Sequence, residues 1–124
     1  MRRIRSKDTA PELLVRRTVH REGFRFRLHR VDLPGKPDLV LPRLRKVIFV
    51  HGCYWHQHRH CSDGRVPKSN RSYWMPKLLR NKRRDAANRR ALTRSGWRSL
   101  VIWECETKDA ERLARVLNKF LRAA

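Results

Sequence analysis

Lys46-Val47-Ile48-Phe49-Val50-His51 decides the fold. An unbroken apolar run closed by a lysine and a histidine reads as a strand buried on both faces, suited to the middle of a sheet covered by helices. Upstream, Asp38-Leu39-Val40-Leu41 reads as a second short strand, and Leu33-Pro34-Gly35-Lys36-Pro37 before it as a turn. Phe24, Phe26 and Leu28 alternate with Arg25, Arg27 and His29, which predicts a strand with one buried face. Thr9 and Glu12 have capping-box spacing, and Pro11 suits a first helical turn. A helix is therefore expected from near Thr9, with Leu13, Leu14, Val15 and Val19 as its apolar positions and Gly23 as its stop.

Downstream, residues 52–68 are polar and rich in His and Cys, an irregular loop. Residues 72–95 read as helix, broken near Pro76, with Leu78, Leu79, Ala86 and Leu92 toward the core. Gly96 closes it, and residues 97–104 form a fourth strand. Residues 109–121 form a last helix, with Ala110, Leu113, Leu117 and Phe120 on one face. The order α-β-β-β-α-β-α predicts a single α/β domain over residues 1–124, a mixed sheet flanked by helices.

The charge points to a partner. Lys and Arg total 32 against 11 Asp and Glu, a net +21 in 124 residues. Such a surplus neutralises phosphates and releases their counterions, so a nucleic acid is the expected ligand. Hydrophobic residues at 40% are too many for a disordered basic tail. Met1 opens onto Arg2, Arg3, Arg5 and Lys7 without an apolar stretch, and a cytosolic or nucleoid location is expected.

Two clusters carry chemistry. The segment from His51 to Cys61 holds four of the six histidines and two of the three cysteines, and Cys105 follows the fourth strand. Zinc favours a closed set of thiolates and imidazoles, which Cys53, Cys61, Cys105 and one of His58 or His60 would supply. Acids are scarce, so each needs a reason. Asp38 stands at the start of one strand and His51 at the end of the next, an arrangement able to place Mg²⁺ beside a scissile phosphate. The bland alternative for Asp38 is a turn residue after proline. For Asp85 it is an ion pair with Arg89 one helical turn on.

Five blocks then stand in order: Ile4-Arg-Ser-Lys-Asp-Thr9-Ala-Pro-Glu12, Leu33-Pro-Gly-Lys-Pro-Asp38, Val47-Ile-Phe-Val-His51-Gly-Cys53-Tyr-Trp-His56, Gly96-Trp97, and Val101-Ile-Trp-Glu-Cys105. Together they closely resemble the very-short-patch repair (Vsr) DNA mismatch endonucleases. The resemblance implies a restriction-endonuclease-like fold and an Mg²⁺-dependent nick 5′ of the thymine in a T:G mismatch left by 5-methylcytosine deamination. It implies that Asp38 holds the catalytic Mg²⁺, that His51 and His56 are active-site histidines, that Asp85 orients a histidine, and that Glu12 is a first-helix acid near the site. It matches Cys53, His58, Cys61 and Cys105 to a structural zinc, although His60 stays a rival to His58. Where the family usually carries a hydroxyl residue before His51, this chain has Val50, which offers the metal only a backbone carbonyl. Tyr54 and Trp55 match an aromatic pair that enters the DNA stack, and Met1 and Ile4 are expected to wedge the other groove. The implied partners are double-stranded DNA with a T:G mismatch and other DNA-repair proteins, with the enzyme a monomer.

Overall fold

The computed structural model describes residues 9–28, 30–52 and 71–123, without the side chains of residues 71–74. The elements are α1 (Ala10–Arg21), β1 (Arg27–Leu28), β2 (Leu39–Leu41), β3 (Lys46–His51), α2 (Arg71–Arg94), β4 (Arg98–Trp103), a short 3-10 helix (Glu104–Lys108) and α3 (Ala110–Arg122). The strands lie in the order β1-β2-β3-β4. β1 and β2 are antiparallel, as are β2 and β3, while β3 and β4 are parallel and joined by α2. This is the mixed sheet flanked by helices that the element order predicts.

Two apolar layers sandwich the sheet. On one face Leu39, Leu41, Ile48 and Ile102 pack against Val15 and Val19 of α1 and Leu113, Leu117 and Leu121 of α3. On the other, Val40, Val47, Phe49 and Trp97 pack against Leu92 of α2. Successive strand residues point to opposite faces, so β3 feeds both layers. That is why its apolar run is unbroken.

Local chemistry sets the boundaries. The Thr9 hydroxyl accepts from the Glu12 N–H at 3.4 Å and caps α1. At the other end Gly23 adopts φ +89°, its N–H donates to His20 and the Phe24 N–H donates to Val19, the two bonds of a Schellman cap. This cap explains a difference from the sequence reading. Phe24 spends its N–H on the helix, so the strand expected over residues 24–29 begins only at Arg27, with Arg27–Leu28 its described part and His29 outside the described residues; Phe24 and Phe26 pack against the core edge.

Five further positions differ. α2 runs through Pro76, which lies in its second turn, where a missing N–H removes one bond near the helix start and residues 77–94 continue undisturbed. Leu79 is 45% exposed, because the sheet takes only a narrow stripe of α2 through Leu78 and Leu92. Leu13 and Leu14 are also exposed, since Val15 and Val19 carry the α1 contact. On α3 the buried stripe is Leu113, Leu117 and Leu121, and Ala110 is exposed in the first turn.

The lysine that opens β3 is buried at 3% exposure. Its ammonium donates to the carbonyls of Phe120 at 2.6 Å, Leu121 at 3.2 Å and Ala123 at 2.7 Å, satisfying the open end of α3. Burial, and after it the Arg98 charge, push the Lys46 pKa down. Its three carbonyl partners offset that cost with as many hydrogen bonds as an ammonium can give.

Candidate active site

β3 and β4 are parallel and in register from Lys46 opposite Arg98 to His51 opposite Trp103. Their C-terminal ends therefore finish together, and His51 and Asp38 stand there. Leu39 opposes Ile48, yet the Asp38 N–H also reaches the Ile48 carbonyl at 3.1 Å, one residue out of that register. Two consecutive residues address one partner, the pattern of a β-bulge, a device that re-aims side chains next to active sites. Beyond the bulge the ladder would pair Phe49 with Pro37 and Val50 with Lys36, whose N–H is already spent on the Leu33 carbonyl at 3.1 Å. The Asp38 carboxylate takes over: its Oδ2 accepts from the Val50 N–H at 2.6 Å.

That bond fixes the direction of the carboxylate. The N–H and C=O of a paired strand residue point toward the same neighbour. The Val50 carbonyl is thus on the Asp38 side of β3. A carboxylate and a backbone carbonyl on one side of a strand end are donors of the kind a hard cation takes, and the residues present fit Mg²⁺. The substitution of Val50 for a hydroxyl residue leaves this carbonyl in place.

His51 follows. It is 7% exposed and lies on the α2 face of β3. Its ring meets Trp103 edge-on at 5.3 Å between centroids and Phe49 at a tilt at 5.7 Å. Aromatic neighbours of this kind lock a ring's orientation. Trp103 is a site residue that the sequence reading passed over as ordinary strand, and its register opposite His51 gives it this role.

Asp85 stands on α2. Gly35, at φ +78°, is pressed between Phe49 and Asn88: a Cβ there would lie 3.0 Å from the Phe49 ring and 3.1 Å from the Asn88 Cβ. Glycine is the residue that permits both the φ and the contact. Asn88 is thereby level with Phe49. α2 runs antiparallel to β3 and β4, since the Trp97 N–H, just before β4, caps the Leu92 carbonyl at 2.9 Å. One helical turn before Asn88, about 4.5 Å nearer the strand ends, stands Asp85. It is half-buried and lines a polar cleft of 470 Å³ with Gly35, Lys36, Arg84 and Asn88. The helix thus carries Asp85 toward the level of His51.

Glu12 stands in the first turn of α1. It is 3% exposed and its Oε2 accepts from Arg16 at 3.2 Å along α1. Cys105 is a half-buried thiol in the 3-10 helix, two residues beyond Trp103. His56, Tyr54, Trp55, Met1, Ile4 and the other zinc candidates Cys53, His58, Cys61 and His60 lie outside the described residues. Among the described residues, no three Asp, Glu, His or Cys side chains converge to hold a metal ion. None of the helices among them is long and apolar enough to cross a membrane.

Known proteins are similar to this chain over most of its length. Residues 1–63 match the family model for the DNA mismatch endonuclease Vsr. The chain is 50% identical over 121 residues to the type II nicking enzyme V.XorIIP of Xanthomonas oryzae pv. oryzae, covering 98% of this chain and 88% of that protein. It is 41% identical over 122 residues to the type II nicking enzyme V.NmeAIP of Neisseria meningitidis, with 98% and 86% covered. To the DNA mismatch endonuclease Vsr of Escherichia coli it is 40% identical over 113 residues, with 91% and 72% covered. A hydrolase that cuts within DNA accounts for the basic charge and the polar strand ends alike: this chain belongs to the Vsr family of DNA mismatch endonucleases.

Proposed function

We propose that this endonuclease nicks duplex DNA 5′ of the thymine in a T:G mismatch, with Asp38 and the Val50 carbonyl holding Mg²⁺. The observation that carries the reading is the 2.6 Å bond from the Val50 N–H to Asp38, which sets a carboxylate beside that carbonyl at the His51 end of the sheet. Bound there, Mg²⁺ would relieve the charge on the phosphate and on the leaving 3′ oxygen. The chain's own residues do the rest. His56 takes the proton of the attacking water, and Asp85 holds the imidazole in the tautomer that leaves one ring nitrogen open. His51, steadied by Trp103, meets the phosphate.

A structural zinc completes the site. His51 and Trp103 are in register, and Cys53 and Cys105 each follow two residues later in the sequence. Closing the pair with Cys61 and His58 would pin the loop that bears His56 onto the ends of β3 and β4. Selectivity falls to Tyr54 and Trp55, with Met1 and Ile4 in the opposite groove. A T:G wobble pair stacks weakly, so side chains inserted beside it pay less there than at a matched pair.

The test is a nicking assay with Mg²⁺ on T:G, matched and single-stranded substrates of one sequence. The proposal expects one nick 5′ of the mismatched thymine and little cutting of the other two. Equal cutting of matched and T:G duplex would leave a nuclease of this family without the selectivity proposed.

A further inference from the structure

A second charged feature lies away from the strand ends. The C-terminal half of α2 and the start of β4 enclose an open cleft of about 690 Å³, floored by Ala86 and Ser99 and walled by Arg89, Arg90 and Arg94. All three arginines are exposed. No carboxylate is among the described residues that line it. The Thr93 hydroxyl on its rim already donates to the Arg89 carbonyl at 3.0 Å, so the guanidinium groups are what the cleft presents. Guanidinium forks suit phosphate oxygens, and a shallow cleft suits a backbone passing over it rather than an enclosed small molecule.

Its position can be counted in two ways. Ser99 precedes Trp103 by four strand residues, about 13 Å. Arg94 follows Asp85 by nine helical residues, about 13.5 Å. The cleft thus begins beside Asp85, at Ala86, and its far edge, Arg94 with Ser99, lies roughly 13 Å from the candidate catalytic groups. At 3.4 Å per base pair along the duplex axis, that is about four base pairs.

We propose that the Arg89, Arg90 and Arg94 cleft is a second DNA contact, which grips the phosphodiester backbone of the same duplex to one side of the nick, out to about four base pairs from it. The inference rests on the chain's acting on DNA and not on the T:G reading. It divides the work: the strand ends select and cut, while the cleft adds affinity and asks for flanking duplex.

The experiment compares wild type with two triple variants, Arg89→Gln/Arg90→Gln/Arg94→Gln and Arg89→Lys/Arg90→Lys/Arg94→Lys, each shown by circular dichroism to be folded. Binding to a long matched duplex is measured against salt. With three phosphate contacts removed, the slope of log K on log salt should be smaller by about 2.7 in the Gln variant and unchanged in the Lys variant. A mismatch duplex, whose mismatch fixes the register, is then shortened on either side. Wild type should lose affinity when one flank falls below about four base pairs, and the Gln variant should be indifferent to that flank. An unchanged slope in the Gln variant would overturn the proposal. So would a deficit that persists on the shortened duplex, since that puts the contact over the nick. A wild type without T:G preference would defeat the proposed substrate, and the salt slopes on matched duplex would still decide the cleft.

Discussion

At one end of the sheet the Asp38 carboxylate accepts from the Val50 N–H at 2.6 Å; at the other the Lys46 ammonium donates to the carbonyls of Phe120, Leu121 and Ala123. Both groups end a piece of secondary structure that would otherwise leave backbone polar atoms unsatisfied. Their capacities differ. An ammonium has three donors, and Lys46 directs all three into the end of α3. The Asp38 carboxylate accepts from the Val50 N–H and carries a negative charge, the kind of group a hard cation takes. The Lys46 end is thus a saturated structural joint, while the Asp38 end joins a structural bond to a charge suited to a cation.

The sharpest way to break this contrast is Asp38→Ala. It removes both uses, so nicking should fall about 10³-fold or more, the several kcal/mol a metal supplies. The variant should also melt lower, because the Val50 N–H loses its acceptor at a cost of about 1–3 kcal/mol. Thermal denaturation beside a single-turnover nicking assay reads the two losses separately.

Next in size is the aromatic pair. Tyr54→Ala or Trp55→Ala should lower the T:G over matched preference about tenfold or more, with the salt slope little changed, because phosphate contacts carry affinity and no sequence information. Equal preference in folded variants would return both side chains to simple packing.

Lys46→Met tests the other end. It leaves three carbonyls without their donor, so stability should drop by about 1–3 kcal/mol. Nicking by the folded fraction, measured well below the melting temperature, should match wild type. A loss of rate without a loss of stability would mean that the two ends are not divided as described. The smallest signal is compositional: elemental analysis of protein purified without chelator should find one zinc per chain, and Cys105→Ser should lower that content.

Much of this was legible in the sequence. The β3 run gave the central strand, and Thr9, Gly23 and Gly96 gave the helix limits, because each acts through bonds a few residues away. Asp38 and His51 were legible as a pair because strand order alone brings a strand start beside the next strand's end. What the sequence could not show depends on register and long-range packing. Phe24 looked like strand until the α1 cap claimed its N–H. Leu79 looked like core until the sheet met only a narrow stripe of α2. Trp103 acquires meaning from its position opposite His51, and Lys46 from a helix end more than seventy residues away. The arginine cleft takes shape only where α2 docks on β4, which sets Arg89, Arg90 and Arg94 beside Ser99.

The central claim is that Asp38 does chemistry beyond its bond to Val50, and Asp38→Asn addresses it most directly. Asparagine keeps an oxygen for the Val50 N–H but loses the negative charge a cation needs. Nicking rate on a T:G duplex with Mg²⁺ should be measured together with the melting temperature of the same preparation. The account predicts a near-wild-type melting temperature with nicking reduced about 10³-fold. A variant that melts like wild type and also cuts like wild type would show that Asp38 only ends a strand ladder.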